Sequence, residues 1–211
     1  MTSGVRGAWV AFITMMWATV CADQLPNTER GERIYDICGA CHGARGQGDQ
    51  SLAAPPLAGQ QPSYLLRQLR NFRSGVRGDK TDTQAQQMQQ ILKTISIESD
   101  WQSVIDFVAT LPLPRSHETA AGDVARGKQI YATCAACHGS AGEGNESLEA
   151  PRLAQLPGWY ILEQLRKFRN GTRGAGAGDG PGGRMRAIVT TLQFDQDASS
   201  VSAYIVNELR R

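Results

Sequence analysis

Apolar residues recur at helical spacing in two pairs of matching stretches. Tyr64, Leu65, Leu69 and Phe72 fall on one face of a helix, and Tyr160, Ile161, Leu165 and Phe168 repeat the pattern. A second stripe, formed by Trp101, Val104, Ile105 and Val108, predicts a helix from about Glu98 to Leu111. Its counterpart, with Val201, Tyr204, Ile205 and Leu209, predicts one from about Asp195 to Leu209. No alternating run reaches strand length, so the expected fold class is all-α.

One apolar stretch is of another kind. Ala8 to Val20 follows the basic Arg6 and is too short to span a bilayer comfortably, which reads as the core of a secretory signal. Val20-Cys21-Ala22 suits cleavage after Ala22, making residues 1–22 the signal peptide and the periplasm the expected location. The competing reading, a lipid-modified Cys21, is disfavoured by Val20 just before it. No other stretch is long and apolar enough to cross a membrane, so a soluble mature chain is expected.

The helical stripes belong to a longer internal repeat. Gly31 to Gly43 recurs as Gly127 to Gly139, carrying Cys38-Gly39-Ala40-Cys41-His42 onto Cys134-Ala135-Ala136-Cys137-His138 at an offset of 96 residues. Ala54-Pro55 maps onto Ala150-Pro151 at the same offset, and Met88 onto Met185 after one inserted residue. A period near one hundred residues is too long for a solenoid unit and suits a small complete domain. Two tandem domains follow, residues 23–113 and 123–211, joined by a linker over 114–122. Each is expected to be a small helical fold with a glycine-rich loop after its cysteine motif.

Composition limits the rest. Aromatic residues make up 7% of the chain and 23 residues are glycine, which implies modest cores that a bound group would help to complete. The formal charge of +2, with basic and acidic residues interspersed, gives nucleic-acid binding no support.

Two cysteines separated by two residues and followed at once by histidine form a c-type haem attachment motif. The spacing lets both sulfurs reach the vinyl groups of one porphyrin while the adjacent imidazole meets the iron. Zinc would need four ligands, and each repeat offers two cysteines and a histidine. A thioredoxin-like pair would want a strand-helix context, and structural disulfides would leave the repeated histidine unexplained. Two covalently bound haem c groups are therefore expected, attached through Cys38 and Cys41 and through Cys134 and Cys137, with His42 and His138 as axial ligands.

Beyond the signal segment, Met88 and Met185 are the only methionines, and they occupy corresponding positions. A lone methionine is usually a core filler. The pairing instead predicts His/Met coordination, which raises reduction potential. With both axial positions filled, iron has no vacancy for a substrate, and outer-sphere electron transfer remains. Arg67, Arg70, Arg73 and Arg77, echoed by Arg166, Lys167, Arg169 and Arg173, suit either haem propionates or a solvated helix face. Pro55 and Pro151 are expected to shape the loop on the histidine side of each haem, and His117 to be a solvated linker residue.

These motifs, together with Tyr64 to Gly75 and Tyr160 to Gly171, resemble the di-haem cytochrome c4 family across nearly the whole mature chain. The resemblance implies two class I cytochrome c folds packed together, haems close enough to exchange electrons, and a periplasmic role in feeding a terminal oxidase. Lys80 to Met88 and the glycine-rich run before Met185 depart from the more compact methionine loop of that family. The leading expectation is an electron carrier, not an enzyme, working between a quinol-oxidising complex and a terminal oxidase, with membrane association only through such partners. The alternatives are the cytochrome subunit of a periplasmic dehydrogenase of flavocytochrome type and, against the paired methionines, a small di-haem peroxidase.

Overall fold

A computed structural model describes residues 27–114 and 118–210 of the chain. The expected signal peptide, Cys21 and His117 lie outside the described residues. Eight α-helices are present among them: α1 (Asn27–His42), α2 (Pro62–Ser74), α3 (Thr83–Thr94), α4 (Glu98–Thr110), α5 (Val124–His138), α6 (Gly158–Asn170), α7 (Gly180–Val189) and α8 (Phe194–Tyr204). The last continues as a π-helical turn, Ile205–Leu209. Sheet pairing among the described residues is limited to the isolated bridges Asp49–Ala54 and Asn145–Ala150, which close the loops after α1 and α5. The all-α expectation holds.

The two halves repeat the same four-helix arrangement, and local chemistry sets where each helix ends. Pro62 in the first turn of α2 suits a position whose backbone N–H needs no partner. Gly75 and Gly171 end α2 and α6 in the left-handed region at φ 77° and 83°, where a side chain would be strained. Asp123 caps α5 by accepting from the Arg126 amide at 2.9 Å.

The first and last helices of each half cross almost in contact. A Cβ on Gly31 would lie 1.9 Å from the Ser103 carbonyl oxygen, and one on Gly127 would lie 2.0 Å from that of Ser200. One turn further on, Tyr35 packs against Phe107 and Tyr131 against Tyr204, with ring centroids 5.2 and 5.4 Å apart. The predicted stripe on α4 is buried in full: Trp101, Val104, Ile105 and Val108 are all core residues.

In the second half one continuous cluster runs from Tyr131 through Ile161, Leu165 and Phe168 to Val201 and Val206. In the first half the core divides into two, one around Phe72, Leu92 and Trp101 and the other around Tyr35, Val104 and Val108. Members of both clusters line a single cavity of about 610 Å³. Within the expected linker, Glu118 accepts from the Gly158 amide at 3.1 Å and Ala120 exchanges hydrogen bonds with Asn207, so this segment is fastened to the second half. No helix among the described residues is long and apolar enough to cross a membrane.

Candidate haem sites

His42 and His138 are the last residues of α1 and α5, and both are buried. The Nδ1 atom of His42 lies 2.7 Å from the Pro55 carbonyl oxygen, and that of His138 lies 2.8 Å from the Pro151 oxygen. A carbonyl only accepts, so each Nδ1 carries the proton and each Nε2 keeps its lone pair. Burial lowers both imidazole pKa values from the ordinary range, with the proline carbonyl opposing in part. The result is a neutral, oriented imidazole, the form in which histidine binds a metal. The two prolines thus contribute a backbone acceptor as well as a loop shape, a role their identity did not reveal.

On the same helices Cys38 and Cys134 sit one turn before the histidines, and Cys41 and Cys137 immediately before them. Cys38 and Cys134 are half-buried, and burial pushes each thiol up to about 11, while Cys41 and Cys137 are exposed. All four are unpaired thiols. A group bonded to both sulfurs of one motif would have an inner edge against the core and an outer edge at the surface, beside the exposed Ile37 and Leu52 in the first half.

Met88 and Met185 stand not in open loops but inside α3 and α7, which the apolar pattern did not predict. Asp82 caps α3 through the Ala85 amide at 3.0 Å, and Asp179 caps α7 through the Gly182 amide at 3.0 Å. In the first half, Cys38, Cys41, His42 and Met88 line the same 610 Å³ cavity. In the second, Cys134 and Met185 pack against one core cluster.

The basic residues divide by position. Arg70 and Arg73 on α2 and Arg166 and Arg169 on α6 are exposed; Arg70 pairs with Glu98, and Arg73 donates to the Leu92 carbonyl at 3.1 Å. Arg77, Lys167 and Arg173 are buried between the two halves. Arg77 donates to Gln68 at 2.6 Å and to Gln164 at 3.1 Å; Arg173 donates to Gln164 at 2.8 Å, to Gln68 at 3.2 Å and to the Tyr64 hydroxyl at 2.9 Å. Arg77 also stacks over Phe72, and Arg173 over Phe168, at 4.4 and 4.5 Å. Burial alone would raise the Tyr64 phenol, but the guanidiniums of Arg173, Arg77 and Arg67 outweigh it and lower its pKa.

These residues fit haem. The cavity has the size of a cofactor pocket, about 300–1,000 Å³, and its wall is mostly apolar around the sulfur and imidazole donors, with polar side chains such as Gln68, Asp82, Gln164 and Lys167 on the side facing the second half. Arg77 lines it with a buried Nε that has no partner, a donor suited to an anionic substituent such as a propionate.

The cytochrome c family profile matches residues 28–112 and 124–208. Cytochrome c4 of Thiocapsa roseopersicina is 30% identical over 87% of this chain and 94% of its own length. The thiosulfate dehydrogenase electron acceptor of Stutzerimonas stutzeri (strain A1501) is 30% identical over 84% of this chain and 85% of its own. The crystal structure of reduced recombinant cytochrome c4 from Pseudomonas stutzeri superposes with a TM-score of 0.67 and 25% identity, covering 84% of this chain and 96% of that one. With two family matches in tandem and a Cys-x-x-Cys-His motif in each, the chain belongs to the cytochrome c4 family and is a di-haem electron carrier with two covalently bound haem c groups.

Proposed function

We propose that the chain is a periplasmic carrier of single electrons between a quinol-oxidising complex and a terminal oxidase, exported by cleavage after Ala22. In this reading residues 23–113 and 123–211 are its domains and 114–122 its linker. Cys38 and Cys41 hold the first haem and Cys134 and Cys137 the second. His42 and Met88 would hold one iron, and His138 and Met185 the other. The observation that carries the reading is the matched pair of buried imidazoles, each with Nδ1 tied to a proline carbonyl, at the end of a helix bearing two thiols.

When bound, haem c supplies a one-electron couple, and the protein's residues set its terms. The Nδ1 contacts hold each imidazole in the tautomer that can donate from Nε2. Phe72, Leu92, Ile95 and Trp101 keep water from the first pocket, which favours the less charged reduced state. Exposed Cys41 and Cys137 put the attached edge of each group where a partner protein can approach.

The test is a spectroelectrochemical titration of the mature protein made with haem-attachment machinery. Two haems per chain, each with the methionine-sulfur absorption band near the red end when oxidised, are expected. Loss of the band at one haem in Met88→Leu and at the other in Met185→Leu would assign the ligands. One haem per chain, or rapid turnover with peroxide, would overturn the carrier reading.

The relative named as a thiosulfate dehydrogenase electron acceptor favours a second reading, in which this chain takes electrons from a periplasmic dehydrogenase. Co-purification with such an enzyme, and faster reduction by it than by a quinol-oxidising complex, would select it.

A further inference from the structure

The interface between the halves is nearly symmetric, and one of its departures from symmetry is at a buried charge. In the repeat, Lys167 of α6 corresponds to Asn71 of α2, and the caps Asp82 and Asp179 correspond to each other. Lys167 Nζ reaches across the interface to Asp82 Oδ1 at 2.7 Å, and the two side chains are 10% and 1% exposed. Gln84 accepts a further bond from Nζ at 3.2 Å, and Glu163 of the same helix lies 3.9 Å away. On the opposite side the neutral Asn71 amide stands 3.4 Å from Asp179 Oδ1.

We infer that Lys167 is a positioning residue that the second domain supplies to the first haem site. It acts through Asp82, whose Oδ1 also caps the helix carrying Met88. The inference rests on the proposal that Met88 binds the first iron. A carboxylate buried this deeply needs a partner, and removing one member of such a pair strands the other. Without Lys167, Asp82 would either leave its cap for solvent, shifting α3, or stay as an uncompensated negative charge beside the cavity. That charge would favour the oxidised iron and lower its potential. Asp179 faces the neutral Asn71 from the first domain and has its electrostatic partner, Arg173, within its own domain, so the second haem does not depend on the first domain in this way.

The experiment compares Lys167→Asn, which gives both sides the same neutral contact, with the wild type. Midpoint potentials are read by spectroelectrochemistry, and the ε-methyl NMR signals of the iron-bound methionines are assigned through Met88→Leu and Met185→Leu. The expected result is a lower midpoint for the first haem and a shifted or weakened Met88 signal, with the second haem unchanged. Adding Asp82→Asn, which keeps a capping side chain and removes the stranded charge, should bring the first midpoint back toward the native value. The double variant also carries the test if the single one fails to fold. Equal shifts at both haems, no shift at either, or a midpoint not recovered in the double variant would overturn the inference. Absence of any Met88 signal in the wild type would instead overturn the ligand assignment on which it rests.

Discussion

Tyr35 and Tyr131 each stand seven residues before the histidine of their motif, and their hydroxyls donate to the carbonyls of Gly43 and Gly139 at 2.8 and 2.7 Å. They fasten the residue that follows each histidine, where the chain must leave the helix without disturbing the imidazole. Tyr35→Phe should therefore cost about 1 kcal/mol in denaturant unfolding. Burial pushes the Tyr35 phenol up to about 12 and that of Tyr131 higher still. The fold thus favours the protonated phenols, and their contribution to stability is complete below the unfolded value of about 10. It declines as pH climbs from there through the folded value. Carbon-13 NMR of tyrosine labelled at Cζ should show the Tyr35 and Tyr131 signals titrating near the top of the accessible range. Unfolding midpoints above pH 10 should fall less steeply in Tyr35→Phe than in the wild type.

At the scale of helices, the crossings at Gly31 and Gly127 set the frame on which the cysteines are carried. A methyl group on either glycine meets a backbone carbonyl, which cannot rotate aside as a side chain could. The helices must separate, and Gly31→Ala or Gly127→Ala should destabilise by at least about 1–3 kcal/mol, measured by guanidinium denaturation. These glycines were legible only as members of the repeat; the reason for them, a neighbour more than seventy residues away, lies in the packing. The α2, α4, α6 and α8 stripes could be read from the chain because leucine, isoleucine and aromatic residues recur there at helical spacing. The methionine-bearing helices could not. Gln84, Gln86, Gln87, Gln89 and Gln90 dilute the apolar pattern of α3, and glycine fills the first turn of α7. Their one local signal was the aspartate just before each, Asp82 and Asp179, in the position of an N-cap. The haem motifs themselves were fully legible, since they need only four cysteines and two histidines at fixed spacing.

At the scale of the whole molecule, the least legible feature is the contact between the halves, because it is built from residue types that ordinarily face water. Gln68 and Gln164 each accept from both Arg77 and Arg173, so two side chains from each domain form one buried array about the pseudo-symmetry of the repeat. At the rim, Arg67 meets the half-exposed Glu149. Exposed pairs of this kind contribute at most about 1 kcal/mol, so the array should carry more of the coupling than the rim. Gln68→Leu takes an acceptor from both guanidiniums at once while leaving Gln164 to serve them. Gln164→Leu does the same from the other side. Each single substitution is therefore buffered by the glutamine that remains, whereas the second loss takes the last glutamine acceptor from both buried guanidiniums, and the double variant should be more destabilised than the sum of the singles, by about 0.5–3 kcal/mol. Unfolding of all these variants in guanidinium, followed separately by haem absorbance and by far-ultraviolet circular dichroism, reads the cycle. If the array couples the domains, the two probes coincide in the wild type and separate in the double leucine variant; strict additivity of the two glutamine substitutions would place the coupling elsewhere in the interface.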